Sequence, residues 1–501
     1  MTERSAIIRG GCLLDAAGRS ATPADILVQD GAIAQIGDPG LAAPEGVAVF
    51  DASDRLLMPG MINAHAHSGG NLARSIHDKW TLELLLNGTV ANVGGQTLEE
   101  KYISTLLGAL EMLSKGCTGC YDLFYEFPLP SEDGIKAAAQ AYADAGMRAV
   151  IAPMLADRSF YRAIPGLLEA LPDPYREQFA TAQALPWQAQ LDIIAQVMRG
   201  WAFDRDRITL AIAPSIPMHC TDEFLAGAAA FTRDHGIGFH THLAESRVQA
   251  VYGRQRYGRS PTAQLRCLGV LGPNFTAAHA VWVDDDDIAM LADAGASVAH
   301  NPGSNMRLGS GMAATRRMLD RGLNVGLGTD SRVCSDNLNM FEAMRFASYA
   351  SRVQGPDHER WLSTPEVFAM ATEGSAKALG FGDRLGRLAP GYRADIVFLD
   401  LGNLNWVPLN DTTNQLVFAE DGTAVDSVMV DGRLVYHQRR FPGIDMASLR
   451  RKAQSAADRL RGANAEMRAV AAALEPVVAC FCGALAREPH HIHRFTGGEI
   501  A

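Results

Sequence analysis

The chain has 501 residues, of which 48% are hydrophobic and 20% are charged, and its formal net charge is −11 at pH 7. This length exceeds that of a usual single-core domain, so we expect more than one domain around a large interior. The acidic balance disfavours binding to nucleic acids or anionic membranes, because both require a basic surface. We expect no membrane span and no secretion signal, since no run approaches roughly 20 uninterrupted apolar residues.

Eight cysteines are scattered along the chain without the spacing of a disulfide framework. Cys117 and Cys120 form a CxxC pair, and Cys480 and Cys482 form a CxC pair. Neither pair is matched by a second one, so we interpret both as structural thiols rather than redox or metal sites. The expected environment is the reducing cytoplasm.

The first segment has the pattern of strands joined by tight turns. It contains "AIIRGGCLLD" and "DILVQDGAIAQIGD", in which Asp30-Gly31 is a hairpin turn signal. The same pattern returns in "VDSVMVDGRLVYHQR", with Asp431-Gly432 as the turn. These two flanks predict a small β-sandwich assembled from both chain ends, residues 1–58 and 384–445.

Residues 59–383 alternate short apolar runs with amphipathic segments. The apolar runs are the opening "LLMPGMINAHA", then "GCTGCYDLF", "MRAVIAPML", "ITLAIAPSIP", "IGFHTHLAE", "FTAAHAVWV", "ASVAHNP" and "NVGLGTDS". Eight strand–helix units are the number that closes a (β/α)₈ barrel. We therefore predict an α/β fold with a TIM-type (β/α)₈ barrel, whose chemistry would lie at the C-terminal ends of the strands.

Two segments do not fit the strand–helix repeat. Residues 156–200 form a long insertion after the third strand, either a lid over the barrel mouth or a surface excursion. Residues 446–501 are predicted to be a helical extension, packed on the barrel or on a sister subunit, because apolar residues recur there at spacings of four and three. This stripe consists of Leu449, Ala453, Ala456, Leu460, Ala463, Met467, Val470 and Leu474. We interpret the end of the chain, with His490, His491 and His493, as a solvated tail.

Polar residues follow several of the predicted barrel strands. His65 and His67 share one side of the first strand, since side chains alternate along a strand. Further candidates at strand ends are His240, His242, Glu245, His279 and Asp330. Imidazole nitrogens and a carboxylate around an open position are what zinc or ferrous iron uses for hydrolysis. A lone histidine would more often be a core residue, but polar residues at four strand ends indicate a metal site.

The motifs at these positions resemble a known family. "MPGMINAHAHSGG", "FHTHLAES", "AHAVW", "AHNPGSNMRLGSG" and "GLGTDSRVCSDNLNMFEAMRFAS", in this order, closely resemble the deaminase and chlorohydrolase branch of the amidohydrolase superfamily. That branch includes methylthioadenosine/S-adenosylhomocysteine deaminases, 8-oxoguanine deaminase, cytosine deaminase and the triazine hydrolases. The resemblance extends to about Ile444. By analogy with the superfamily, the protein is expected to be a homodimer.

The resemblance implies a role for each candidate. The metal ligands would be His65, His67, His242 and Asp330. His240 lies two residues before a ligand, and we expect it to support a ligand or pack in the core. Glu245 matches the family's proton-shuttling glutamate and His279 the histidine that hydrogen-bonds the attacking water or the developing oxyanion, while Asp330 would also accept a proton from that water. Without the resemblance, Glu245 could be a helix-start carboxylate and His279 a fourth metal ligand.

The expected cofactor is one divalent metal ion, with Zn²⁺ favoured and Fe²⁺ as the alternative. Binuclear members of the superfamily bridge two ions with a carboxylated lysine or a glutamate at the end of the third or fourth strand. Neither "MRAVIAPML" nor "ITLAIAPSIP" contains a lysine or a glutamate. One metal ion therefore fits the sequence better than two.

Four residues are candidates for contact with a small-molecule substrate: His300, Asn305, Ser331 and Trp80. For Asn305 the alternative is a loop stabilised by Asx turns and glycine geometry, and we expect the nearby Cys334 to be a packed thiol. Nucleoside-type members usually carry a substrate-contacting histidine where this chain has Ser215. That departure argues against methylthioadenosine or adenosylhomocysteine as the substrate.

The leading functional hypothesis is hydrolytic deamination of an amino-substituted N-heterocycle of the purine, pyrimidine, pterin or triazine kind. Water activated by the metal would attack the ring carbon, and Glu245 would protonate the ring nitrogen. The first alternative is hydrolysis of an amide, urea or carbamate, or dechlorination, at the same site. A second alternative, a non-catalytic scaffold, would predict eroded metal ligands, whereas this sequence keeps all four.

Overall fold

The computed structural model describes residues 4–181 and 184–495. Its strands are β1 (Ala6–Asp15), β2 (Ser20–Gln29), β3 (Ala32–Gly37), β4 (Ala48–Asp51), β5 (Arg55–Pro59), β6 (Met61–Ala66), β7 (Cys117–Asp122), β8 (Arg148–Ile151), β9 (Met154–Leu155), β10 (Ile208–Leu210), β11 (Ala213–Pro214), β12 (Phe239–Leu243), β13 (Phe275–His279), β14 (Ser297–His300), β15 (Asn324–Leu327), β16 (Ile396–Asp400), β17 (Val425–Val430) and β18 (Arg433–Tyr436).

Most of the helices lie between the central strands, and the last two follow β18. They are α1 (Leu82–Val93), α2 (Leu98–Ser114), α3 (Glu132–Ala145), α4 (Phe160–Ala163), α5 (Leu167–Ala170), α6 (Tyr175–Thr181), α7 (Trp187–Arg199), α8 (Asp222–His235), α9 (Arg247–Tyr257), α10 (Pro261–Cys267), α11 (Asp285–Asp293), α12 (Pro302–Arg307), α13 (Thr315–Asp320), α14 (Met340–Arg352), α15 (Thr364–Ala369), α16 (Ser375–Ala378), α17 (Thr412–Phe418), α18 (Met446–Ala463) and α19 (Ala465–Arg487). The chain therefore has an α/β structure.

One mixed sheet contains strands from both ends of the chain. Its order is β18-β17-β16-β5-β1-β2-β3, with β4 paired to β1. The two ends meet where β5 and β16 pair antiparallel, with Leu57 opposite Phe398. Buried Ile8, Ile26 and Ile396 belong to the apolar cluster of this sheet, so the two flanks share one core.

Two hairpins of this sheet turn through the residues that the sequence indicated. Asp30 and Gly31 both have positive φ angles, 50° and 82°, and lie between β2 and β3. Asp431 and Gly432, at 52° and 76°, lie in the same way between β17 and β18. Two consecutive left-handed residues are what a tight two-residue hairpin requires. Both predicted turns are confirmed.

Eight parallel strand segments form the centre of the chain. One sheet has the order β10-β8-β7-β6 and another the order β12-β13-β14-β15, and a short β9-β11 pair continues from the first. Single parallel bridges join Ala66 to Asp330 and Ile212 to Phe239, so each sheet contacts the other at both of its edges. The carboxyl ends of all these strands therefore lie at the same end of the structure.

A buried ion pair joins the parallel strands to the mixed sheet. Arg148, at the start of β8, is 1% exposed. Its Nε lies 2.8 Å from Asp395 and its Nη2 lies 3.2 Å from Asp431. Burial disfavours the charged guanidinium, but these two carboxylates raise the pKa of Arg148 overall. Loss of either carboxylate would leave a buried charge uncompensated.

The insertion after the third strand packs at the carboxyl ends of the parallel strands. Tyr161 and Leu167 of the insertion share a buried apolar cluster with Met218, which follows β11, and with Val248 on α9. Leu474 of α19 belongs to the same cluster, which we call the roof cluster. This position agrees with the lid and not with a surface excursion.

The predicted stripe of the C-terminal extension is divided between α18 and α19, which meet at Asn464. Leu449, Leu460 and Leu474 are buried within the same chain. This part of the stripe therefore packs on its own chain, one of the two expected arrangements. By length and composition alone, α19 could also cross a membrane, although its sequence contains charged residues and Pro476.

The prediction of a solvated tail is correct for His491 and His493, which are exposed, but wrong for the segment as a whole, which packs on the protein. Ile492 is only 6% exposed, and His491 Nε2 lies 2.9 Å from Asp284 Oδ2. The guanidinium of Arg494 donates to backbone carbonyls of another segment. These contacts involve residues more than 200 positions apart in sequence, so no local pattern in the tail could have indicated them.

Candidate active site

Three strand ends bring the predicted metal ligands together. His65 lies in β6 and His67 follows it, His242 comes from β12, and Asp330 follows β15. The ligand atoms of His65, His67 and His242 all lie within 4.8 Å of one another. Asp330 Oδ1 lies 3.5 Å from His65 Nε2 and 3.2 Å from His67 Nε2. All four side chains are buried.

Hydrogen bonds fix which nitrogen each histidine presents. His67 Nδ1 donates to Leu123 O at 2.7 Å, and His242 Nδ1 donates to Ser215 O at 2.7 Å. A carbonyl can only accept, so the Nδ1 atoms carry the hydrogens and the Nε2 lone pairs face the cluster. His65 Nδ1 lies 3.3 Å from His240 Nε2. His240 thus contacts a ligand from outside the cluster.

The electrostatics of the cluster favour neutral imidazoles at His65 and His242. Burial lowers the pKa of His65 to about 3, and burial together with the neighbouring imidazoles holds the pKa of His242 well below its usual range. For His67, burial is outweighed by Asp330, which raises the pKa. Neutral nitrogens and an ionised carboxylate are the forms that bind a metal ion.

Asp330 is held as an ionised carboxylate. Although its burial raises the pKa, the adjacent imidazoles of His65 and His67 lower it well below the usual range. Ser304 Oγ donates to Asp330 Oδ2 at 2.6 Å, and the Ser331 amide donates to Oδ1 at 2.8 Å. The carboxylate therefore has fixed partners on both oxygens.

Glu245 and His279 lie beside the four predicted ligands. His279 Nε2 is 3.6 Å from Glu245 Oε2 and 3.8 Å from Asp330 Oδ2. Burial, with the charges of Asp330 and Glu83, raises the pKa of Glu245 well above its usual range. Asn305 Oδ1 lies 2.8 Å from His279 Nδ1, so Nδ1 carries the hydrogen and Nε2 is left as the acceptor.

The alternative role of His279, as a further metal ligand, stays open. Ligand atoms of His65, His279 and Asp330 also lie within 4.8 Å of one another.

Several polar atoms of the cluster are buried without a hydrogen-bond partner. Among the described residues these include His65 Nε2, Glu245 Oε2, His279 Nε2, His300 Nδ1 and Asn305 Nδ2. Buried polar atoms are normally paired, so such a concentration indicates a site that receives a ligand. They converge on the carboxyl ends of β6, β12, β13 and β14.

Three of the four predicted substrate contacts lie at this site. His300 is buried, and burial together with His279 lowers its pKa to about 3. Asn305 bonds His279, and Ser331 follows Asp330 with its Oγ accepting from Val333 N at 3.1 Å. Cys334, expected to be a packed thiol, is 1% exposed.

Trp80 lies at the roof cluster. Its ring stacks on His77 with centroids 4.4 Å apart, and the side chain packs against the roof cluster. Trp80 stands in a loop before α1, where side-chain direction does not follow from a strand period. Its predicted contact with substrate remains a prediction.

Sequence reasoning missed three residues that the structure places at the site. Ser304 binds Asp330, Gln249 Oε1 accepts from Glu245 N at 2.9 Å, and the Tyr125 ring lies 5.6 Å from that of His67. Ser304 belongs to the quoted "AHNPGSN" motif, and Gln249 lies four residues after Glu245, so both carried a sequence signal. Tyr125 carried none, because its contact depends on the turn after β7.

The glycines that follow His67 admit Tyr125 to the site. A Cβ at Gly70 would lie 2.5 Å from Tyr125 Oη and 2.6 Å from Ser331 Oγ. A Cβ at Gly69 would lie 2.9 Å from Tyr125 O. The "SGG" after the paired histidines therefore provides space for a phenol beside a predicted ligand.

Comparison of the sequence with known proteins agrees with the geometry of this site. The amidohydrolase family model matches residues 56–435. The chain is 32% identical to a 5′-deoxyadenosine deaminase of Methanothermobacter thermautotrophicus over 466 residues, covering 92% of this chain and all of that protein. It is 32% identical to a 5-methylthioadenosine/S-adenosylhomocysteine deaminase of Syntrophomonas wolfei over 441 residues, 87% of this chain and 94% of that protein.

Solved structures give the same result. A zinc-bound adenosine deaminase from Xanthomonas campestris is similar with a TM-score of 0.80 and 26% identity, covering 91% of this chain and 98% of that one. An atrazine chlorohydrolase from Arthrobacter aurescens in complex with zinc gives a TM-score of 0.81 and 25% identity, over 90% of this chain and all of that one.

The chain belongs to the amidohydrolase family. With relatives that are named deaminases, it is a hydrolytic enzyme that acts on C–N bonds. The predicted superfamily, branch and enzyme class are confirmed.

Proposed function

We propose that the protein removes an amino group by hydrolysis from an aminated N-heterocycle, preferably a purine carried on a nucleoside-like molecule. The observation that carries this proposal is the convergence of six buried side chains from four strand ends: His65, His67, His242, Glu245, His279 and Asp330. The names of the relatives support the purine class.

The donor set fits one divalent metal ion, for which we propose Zn²⁺, with Fe²⁺ as the alternative. His65 Nε2 is buried without a partner, and the Nε2 atoms of His67 and His242 are 3.3 Å apart, so one ion can contact all three nitrogens. His65, His67, His242 and Asp330 would hold the ion. When bound, such an ion lowers the pKa of a coordinated water from 15.7 towards ~7.

The chain's own groups then supply the proton transfers. Asp330 is ionised and can accept a proton from the attacking water. The raised pKa of Glu245 favours the protonated form of this carboxyl, which can donate to a ring nitrogen as the ring carbon is attacked. His279 Nε2 faces Glu245 and Asp330 and is placed to accept a hydrogen bond from the water. The amino group leaves as ammonia after it receives a proton.

The substrate would bind beneath the roof cluster. We propose that His300, Asn305 and Ser331 contact its polar atoms, because His300 Nδ1 and Asn305 Nδ2 are buried without partners. Ser215 stands where nucleoside-type members carry a histidine, and its Oγ is also buried and unpaired. A short hydroxyl in place of an imidazole leaves room for a substituent of different shape.

We further propose that the eight parallel strands form a closed (β/α)₈ barrel and that the mixed sheet is part of a β-sandwich, with the domain limits predicted from the sequence. The bridges from Ala66 to Asp330 and from Ile212 to Phe239 support closure. The eight cysteines, all unpaired, support a cytoplasmic location. A homodimer remains our prediction from the superfamily.

A screen for released ammonia tests the proposed function. The purified protein would be incubated with 5′-deoxyadenosine, adenosine, other aminated purines, pterins and triazines, and with ureas and anilides. Ammonia from a ring compound, absent in a Glu245→Gln variant, is the expected result. An aromatic amine from an anilide, or chloride from a chlorotriazine, with no ammonia from any ring compound, would replace the proposal with its alternative.

A further inference from the structure

The end of the chain crosses the turn that carries His279. Ile492 is buried, and the rings of His490 and Phe495 lie 6.1 and 5.3 Å from the ring of Trp282, which is itself 1% exposed. We call residues 488–495 the terminal strap. A segment that buries an apolar side chain and covers a core tryptophan is an ordered part of the fold.

The turn beneath the strap has an unusual backbone. His279 and Ala280 have consecutive positive φ angles of 68° and 46°, although neither is glycine. Such conformations cost free energy and persist only where the surroundings impose them. The Trp282 amide donates to Ala244 O at 2.8 Å, and Ala244 directly precedes Glu245. The turn therefore carries His279 and is bonded to the residue before Glu245. These are the two residues to which we assign hydrogen bonding to the water and proton donation.

Arg494 connects the strap to this turn. Its Nε donates to Val281 O at 2.8 Å and its Nη2 donates to Val283 O at 2.6 Å. Burial and the neighbouring Arg317 lower its pKa to about 10, so the guanidinium is still charged at neutral pH. A partly buried cation whose acceptors are backbone carbonyls is costly, and its hydrogen bonds immobilise the two carbonyls that it contacts.

We propose that Arg494 is a positioning residue for His279. By holding the carbonyls of Val281 and Val283, it keeps the left-handed turn in the conformation that directs the His279 imidazole at the cluster. The strap is itself anchored by a bond from Met312 N to Arg494 O at 2.9 Å, which a side-chain substitution leaves in place. The activity part of the test below rests on the proposed function.

The test compares Arg494→Ala and Arg494→Lys with wild type. Arg487→Ala is the matched control, because Arg487 lies just before the strap and its guanidinium bonds Gly483 O of its own helix. Three quantities are measured: amide hydrogen exchange of residues 275–284 without substrate, zinc content, and kcat and KM for ammonia release. Exchange reports the turn directly and does not depend on knowing the substrate.

In Arg494→Ala we expect faster exchange over residues 275–284 and unchanged zinc content. We expect kcat to fall by about 10- to 100-fold with little change in KM, since misplacement of a reacting group by ~1 Å can cost ~10²-fold. Arg494→Lys, which keeps the charge and one donor group, should lie between wild type and Arg494→Ala. Arg487→Ala should match wild type.

Wild-type exchange over residues 275–284 in a folded Arg494→Ala protein would overturn the proposal, as would loss of zinc in parallel with kcat. If Arg494→Ala does not fold, Arg494→Lys decides: exchange and kcat equal to wild type would contradict the positioning role. If wild type itself releases no ammonia, the proposed function fails, and the exchange data alone still decide the role of Arg494.

Discussion

Glu245 and Asp330 are both buried carboxyls, yet their surroundings shift their pKa values in opposite directions. Burial, Asp330 and Glu83 raise the pKa of Glu245, whereas Asp330, despite its burial, has its pKa lowered by the adjacent imidazoles of His65 and His67. Two titratable groups whose pKa values are shifted in opposite directions are typical of a general acid and a general base. The donor and the acceptor of protons are thus distinguished by their neighbours.

At the residue scale, Glu245→Gln should lower kcat by about 10²- to 10⁴-fold, the usual range for a general acid–base group. The amide is isosteric and lies outside the proposed ligand set, so zinc content should be unchanged. Steady-state kinetics and elemental analysis of the same preparations check both statements. Glu223→Gln, at an exposed position on α8, is the control. Zinc loss together with activity would show that Glu245 belongs to the metal site.

His242→Ala, unlike Glu245→Gln, should lose zinc together with activity. Removal of one of four proposed ligands is expected to leave less than one zinc per chain after dialysis, with activity lost in proportion. His235→Ala, on the exposed end of α8, should keep full zinc. A stoichiometrically loaded His242→Ala protein would contradict the ligand assignment.

At the element scale, the turn after β6 depends on small residues. Gly70→Ala would place a Cβ 2.5 Å from Tyr125 Oη and 2.6 Å from Ser331 Oγ. We expect a loss of about 1–3 kcal/mol in the free energy of unfolding, as for other overpacked sites. Gly462→Ala inside α18, where a Cβ would meet nothing within 4 Å, should instead gain up to about 1 kcal/mol. Denaturant unfolding measures both, and equal effects would contradict this account.

Asp287, at the start of α11, should make the free energy of unfolding depend on pH. Burial and Asp284 raise the pKa of Asp287 from 3.8 to about 6, so the folded state binds this proton more tightly than the unfolded state. Stability from this group is therefore lost as pH rises from about 4 through 6. Wild type should lose up to roughly 3 kcal/mol relative to Asp287→Asn across that window. Urea unfolding of both proteins at several pH values tests this; parallel curves would exclude it.

At the scale of the whole molecule, what the sequence could reveal followed from local periodicity. Strand alternation placed His65 and His67 on one side, and the Asp-Gly pairs at residues 30–31 and 431–432 set two hairpins. The terminal strap and the position of Trp80 depend on contacts between segments far apart in sequence. No period or turn signal in either segment encodes such contacts.

Metal removal should affect the whole fold. A ligand bound only by the folded state stabilises it, so chelation should lower the Tm of wild type and zinc should restore it. In His242→Ala the difference between chelated and zinc-loaded protein should be much smaller. Calorimetry with and without chelator measures this, and a wild-type Tm that does not respond to chelation would argue against a structural contribution of the ion.

The most direct measurement is a zinc titration of the chelated protein, followed by ammonia release from a substrate found in the screen. Metal-free protein should be inactive. Activity should rise linearly with added zinc and reach a plateau at one zinc per chain. Full turnover without metal, or a break at two ions per chain, would contradict a site in which His65, His67, His242 and Asp330 hold a single ion.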